Sequence, residues 1–284
     1  MRLIQCILTE NDCYKANQWI TPKGCMIHST GANNPTLKRY VQPAYDDENY
    51  EELLSLLGYN RNGNSWNRPN VGACVHAFIG KLADGAIATA QTLPWNMRGW
   101  HAGSGTTRPS ANNTHISFEI CEDDLTDPDY FQKVYKEAVE LTAHLCTLYD
   151  LDPLEPEVVI CHHEGAELGM ASNHADVEHW FPKFGKSMDD FRQDVYNTMK
   201  EDEDMNIDNL TDEQLLTLHK RMKAVVAKQP GSDWSQEYRD YAVSKGWFEG
   251  DDDLDGDGEP DFKWQDAPTR EELATVLTRY DRNG

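Results

Sequence analysis

The feature that most constrains this chain is the run from Asp129 to Tyr149. Val134, Ala138, Leu141 and Leu145 recur there at three- and four-residue steps, which is the apolar stripe of a long amphipathic helix. Strand-like segments stand on either side of it. Upstream, ISFEIC over 116–121 alternates, with Phe118 and Ile120 on one face and Ser117 and Glu119 on the other. Downstream, VVIC over 158–161 is a short β-branched run. Further strands are predicted over 3–8, 25–28, 71–79 and 87–93, the last pair joined by a hairpin turn at Ala83–Ala86. Helices are predicted over 49–57, stopped by Gly58, and over 188–199, amphipathic through Phe191, Val195 and Met199. Strands with intervening helices in this order indicate an α/β domain over about 1–199.

Length allows that domain and one small companion, since 284 residues bury one large core or a main domain with a lesser one. The balance of 49 acidic against 26 basic residues gives a formal charge of −23, which argues against a nucleic-acid or anionic-membrane partner held through phosphates. No apolar run is long enough to span a bilayer, so membrane insertion is not expected. The N-terminal apolar hexad is broken by Glu10 and Asn11, too short for a secretion signal, and synthesis in the cytosol is expected. Seven cysteines without a CxxC pair fit free thiols better than a disulfide framework.

The chemistry concentrates in Val158–Trp180, where His162, His163, His174, Asp176 and His179 are ligand types that suit zinc. A solvated His- and Asp-rich loop would look the same. What separates the two readings is His28, at the end of the apolar run Cys25-Met26-Ile27, where its ring can meet a distant histidine over a sheet edge. Adjacent strand residues point oppositely, so one of His162 and His163 is expected to reach such a site and the other not. His76, in VGACVHAFI, reads as a satisfied sheet histidine, and Glu122, Asp123 and Asp124 as surface.

Beyond an acidic linker over 200–208 the composition changes. Thr211–Gln214 is a capping box opening a helix to about Lys228, Trp234–Ser244 is a second helix, and Thr269–Glu272 caps a third. Each is apolar on one side only and needs a partner for that side. Between the last two, Asp253, Asp255, Asp257 and Asp261 have the spacing that presents hard oxygens to calcium. Trp264 stands where an EF-hand would need Glu, which leaves a different calcium loop or a plain acidic turn.

The segments MIHSTGA, GWHAGSG, HISFEICE, ICHHEG and NHADVEHW resemble the zinc-dependent N-acetylmuramoyl-L-alanine amidase type 2 family, related to peptidoglycan-recognition proteins, over about residues 20–195. The resemblance implies a mixed central sheet flanked by helices, with a groove holding one zinc, and hydrolysis of the amide between the lactyl group of N-acetylmuramic acid and L-alanine. By position it implies His28, His162 and Asp176 as zinc ligands and Glu119 as the catalytic glutamate. His174 stands where members commonly carry lysine; it either donates to the oxyanion or is itself the ligand, with Asp176 behind it. His101, Trp100 and His76 are expected along the substrate groove. YAVSKGWFEGDDD with APTREELATVLTRY is similar to an S-layer-homology repeat, which implies a small helical module over 209–284 that binds cell-wall polymer. Together these imply a phage or prophage endolysin, made in the host cytoplasm and acting on peptidoglycan after release. An autolysin and a non-catalytic peptidoglycan-binding protein are the rival readings.

Overall fold

Six short strands build a single sheet in the computed structural model, which describes residues 1–204, 210–227, 235–247 and 276–278. They are β1 (Leu3–Gln5), β2 (Gly24–Ser29), β3 (Ala77–Lys81), β4 (Ile87–Gln91), β5 (His115–Ile120) and β6 (Val159–Cys161), in the order β1-β4-β3-β5-β2-β6. Only the β3–β4 hairpin is antiparallel, so the sheet is mixed, as the resemblance implies. The helices of this part are α1 (Asp12–Lys15), α2 (Tyr50–Leu57), α3 (Pro128–Tyr149), α4 (His162–Glu167) and α5 (Met188–Asp204). The chain divides into two units, 1–203 and 204–284.

Helix α3 starts where Asp127 accepts from the amides of Asp129 and Tyr130, with Pro128 preset in the first turn, and ends at Asp150 in the left-handed region. Its stripe covers one face of the sheet, burying Ile116, Phe118 and Ile120 of β5 together with Cys25 and Ile27 of β2. Trp180, Phe181, Phe191 and Val195 close the same core. Truncating a fully buried Phe118 to Ala would cost about 3–5 kcal/mol.

The alternation that sends these residues inward sends Met26 and His28, and Ser117 and Glu119, to the opposite face. That face is covered unevenly. Leu37, Tyr40, Leu53 and Leu57 pack with Phe78, Ala88 and Ala90 over β3 and β4. Helix α2 is ended there by Gly58, whose φ of 85° a side chain would resist. Over β2 and β6 Met26 and Ile160 pack under Ala102, Ala111, Met170 and Ala171, and the candidate site lies beyond them, at the strand ends that carry His28 and Glu119.

Several sequence boundaries move. Strand β3 begins only at Ala77, because Cys74 pairs with Trp100 in an isolated bridge instead of extending the ladder. Strand β1 stops at Gln5, although Cys6 and Leu8 still donate to Gln91 and Thr92. Helix α5 runs on through Asp204, so the first residues of the expected linker are helical.

In the second unit, α6 (Asp212–Ala227) is opened by Thr211 and Gln214 bonding each other's backbone amides, and α7 (Gln236–Ser244) follows. The remaining linker residues 205–208, the helix stop at 229–231, the acidic loop with Asp253, Asp255, Asp257 and Asp261, and the cap at 269–272 lie outside the described residues. No described helix is long and apolar enough to cross a membrane. All seven cysteines are free and buried.

Candidate metal centre

Three separated segments converge at these strand ends. His28 lies next to the end of β2, in register with Glu119 on the neighbouring parallel strand, about 4.8 Å away at the backbone. His162 is the first residue of α4, immediately after β6. Its helix is pinned by Glu164, which accepts from the Cys161 amide at 2.9 Å and from Arg192 of α5 at 3.0 and 3.1 Å. Gly165 lets α4 lie close to β2, since a Cβ there would stand 2.6 Å from Met26 Cε. Asp176 opens a 3-10 turn over Asp176–His179 with φ of +40°, a backbone region that costs a non-glycine residue about 1–3 kcal/mol. Buried Val177 and Trp180 hold that turn in place.

His28 Nδ1 lies 3.1 Å from His162 Nδ1, and Asp176 Oδ2 lies 3.4 Å from the former and 3.0 Å from the latter. Each ring turns its other nitrogen to a partner. His28 Nε2 meets His101 Nδ1 at 3.1 Å, and His101 Nε2 meets the His115 carbonyl at 3.3 Å. His162 Nε2 meets Ser172 Oγ at 3.2 Å, which reaches the Ala102 carbonyl at 3.4 Å.

These chains fix the tautomers. A carbonyl only accepts, so His101 Nε2 carries its hydrogen, His101 Nδ1 accepts, and His28 Nε2 must donate. Ser172 donates to Ala102 and therefore accepts from His162 Nε2. Both Nδ1 atoms are left with bare lone pairs facing one another and a carboxylate oxygen. Asp176 Oδ2, although within hydrogen-bond distance, is buried with no hydrogen-bond partner. Three mutually repelling donors held this way fit a cation: in a tetrahedral site with bonds of about 2.0–2.1 Å, ligand atoms stand about 3.3 Å apart. Among the described residues, His28, His162 and Asp176 form a group that could hold a metal ion.

Burial holds the His28 ring below its ordinary pKa, with Asp176 opposing and the neighbouring rings of His162 and His174 adding to the effect. For Asp176 burial pushes upward, and only positive charge facing it from the His162 and His28 side, a protonated ring or a bound cation, outweighs burial and keeps the carboxyl well below the usual range. Glu119 is the opposite case. Burial, then the charges of Asp176 and Glu122, lift it well above an ordinary carboxyl, and its Oε2 is sealed without a partner.

The other predicted residues scatter. His163, on the next position of α4, turns outward to Glu178 and Glu167, separated from His162 by the helical step and not by strand alternation. His174 is exposed, its ring 4.7 Å from that of His162, and outside the convergent group. His179 pairs with Glu122 at 3.0 Å. Glu122, read from sequence as surface, is buried and also accepts from the Gly31 amide at 3.1 Å. His76 is fully buried and cannot wall a groove: its Nε2 meets the Met97 carbonyl at 2.7 Å and its Nδ1 accepts from the Ser117 amide at 2.9 Å. Burial pushes its pKa down to about 4. Trp100 is half-buried against the Cys74, Leu93 and Met97 cluster, and His101 stands behind His28. Sequence reasoning missed Ser172 and His115, which carry no local pattern.

Comparison with known proteins bears on the fold and the family. No curated protein matches the sequence significantly. A Staphylococcus aureus hydrolase, AmiA, solved with its ligand, is similar in fold at a TM-score of 0.50 and 16% identity, over 74% of this chain and 87% of that one. A mutant endolysin from Bacillus subtilis aligns at a TM-score of 0.43 and 20% identity, over 69% of this chain and 99% of that one. The sequence profile of N-acetylmuramoyl-L-alanine amidases matches residues 18–180, a span that holds every strand except β1, β3 and β4 included, and all three convergent ligand-type residues. The chain therefore belongs to the N-acetylmuramoyl-L-alanine amidase family.

Proposed function

We propose that the protein is a zinc-dependent amidase that cuts the bond between the lactyl group of N-acetylmuramic acid and L-alanine in bacterial peptidoglycan. One observation carries this reading: two histidine lone pairs and an unpartnered carboxylate oxygen face one another beside a carboxyl of raised pKa. Two nitrogens and one carboxylate oxygen suit zinc, and three protein ligands rather than four match hydrolytic sites. Zinc, when bound, would supply Lewis acidity that polarises a carbonyl and lowers the pKa of water towards about 7.

The chain's own groups do the rest. His101 and Ser172 hold the His28 and His162 rings in the tautomers that present Nδ1. Glu119, made more basic by burial, takes a proton from water as its oxygen adds to the amide carbon, and returns it to nitrogen as the C–N bond breaks. The products are the lactyl carboxylic acid and a free α-amine. His174, exposed beside His162, is read as the donor to the developing oxyanion. The geometry favours Asp176 over His174 as the third ligand, since Asp176 Oδ2 is the buried, unpartnered atom.

The family supports a lytic role, read here as that of a phage or prophage endolysin made in the host cytoplasm and acting on the wall after release. The S-layer-homology-like tail is read as the module that holds secondary wall polymer, with Asp253, Asp255, Asp257 and Asp261 as its calcium loop. For the catalytic unit, zinc content and the release of amino groups from purified cell walls are the test. His162→Ala is expected to lose both, and zinc-supported turnover surviving in that variant would overturn the assignment. For the tail, calcium should raise its melting temperature, and an unchanged melt would remove the loop from the reading.

A further inference from the structure

Away from the metal centre, a cleft of about 510 Å³ opens between the segment after β2 and the loop after α2. Lys38, Arg39 and Arg61 line it, with Asn34, Asn62 and Tyr59, and no acidic side chain does. In a molecule of charge −23 this concentration of cations is a local reversal of sign. Lys38 and Arg61 are exposed, and Arg39 is braced by the Asn64 carbonyl at 2.5 Å. Tyr59 presents a ring that is 58% exposed, and beside this loop Tyr45, 87% exposed, stacks on Tyr50 at 5.2 Å.

The cleft is tied to the catalytic edge. Asn34 donates to the Glu122 carbonyl at 2.8 Å, and the six-residue step from His28 to Asn34 limits their separation to about 20 Å of extended chain. An extended peptide of five or six residues spans that distance.

We propose that this cleft is a second subsite, which takes the C-terminal carboxylate of the peptide whose amino end is freed by cleavage, and so selects among stems. The proposal rests on the amidase reading above, which supplies the peptide's starting point. Any such stem ends in a carboxylate unless it is capped, and guanidinium and ammonium groups facing an open cleft bind that anion through charge-assisted hydrogen bonds. An anionic stem approaching a chain of net charge −23 would be oriented by this cationic cleft.

The test uses the full chain and two muramoyl pentapeptides that differ only at the end, one a free acid and one a carboxamide. For exposed cations kcat/KM should favour the acid by about fivefold, carried by KM. The Lys38→Ala/Arg61→Ala double variant should bring that ratio near one and leave carboxamide turnover unchanged. Equal turnover of acid and carboxamide by the unaltered protein overturns the proposal, as does a ratio that survives in the double variant. Should the unaltered protein turn over neither compound, the amidase reading fails. The cleft is then judged by calorimetric titration with the free peptide acid and its carboxamide: a preference for the acid that disappears in the double variant upholds it, and no preference overturns it. Inhibition by a polyol phosphate that is lost in the double variant would assign the cleft to wall phosphate and overturn it as well.

Discussion

The surroundings of His76 and the cluster around His28 are both built from buried histidines over one sheet, and they differ in where the ring nitrogens point. Around His76 every nitrogen meets the polypeptide: a carbonyl on one side, an amide and a hydroxyl on the other. Around His28 the outer nitrogens are satisfied in the same way, but the inner ones of His28 and His162 face each other and a carboxylate. Burial is nearly equal in the two places. The comparison teaches that a ligand site is recognised by lone pairs that the fold leaves unmatched, not by the burial of histidine as such.

The sharpest way to test that division is Glu119→Gln. Turnover should fall by about 10²–10⁴-fold, the usual worth of a general base, with zinc content unchanged. Loss of zinc along with activity would make Glu119 part of the holding set and redraw the boundary. His76→Ala comes next. It strips partners from Met97 and Ser117 and should cost about 3 kcal/mol in urea unfolding of the metal-free protein, again without loss of zinc. If zinc falls instead, the two regions are one.

His101→Ala probes the link between them, because its ring touches His28 and it stands 6.3 Å from that of His76. Zinc affinity should drop by roughly 10–100-fold, while kcat at saturating zinc is largely kept. An unchanged affinity would mean that the His28 ring is oriented by packing alone.

The smallest effect is in pH. His76 titrates near 6.5 when unfolded and at about 4 when folded, so the unfolded chain binds the extra proton between those values. Its contribution is therefore flat above pH 6.5 and destabilises progressively as pH falls towards 4, by about 1 kcal/mol at pH 5.5. Urea unfolding of metal-free wild type and of a His76→Asn variant at pH 7.5 and 5.5 measures this as the difference between their pH slopes. Equal slopes would show that His76 takes up its proton in the folded state.

Much of the fold is legible in the sequence. The stripe of Val134, Ala138, Leu141 and Leu145 gave α3 to within a residue, because a long helix with one apolar face has a single way to bury it. The alternation in ISFEIC put Glu119 opposite Phe118 for the same reason in strand form. Residues 71–76 alternate like a strand but lie outside β3, since apolar alternation marks burial and cannot say whether a ladder or a loop provides it. Glu122 reads as surface in the sequence yet is buried, because a lone acid after a strand carries no sign of the His179 ring and Gly31 amide that receive it.

The sequence by itself determined which residue types were at hand, which face of each strand they occupy, and through resemblance which of them to watch. Tertiary structure alone decided that His28, His162 and Asp176 share one point while His163 and His179 leave it. The physical reason is that convergence depends on strand order and on the tautomers set by Ser172, His101 and His115, and contacts between segments more than a hundred residues apart leave no periodic trace in the chain.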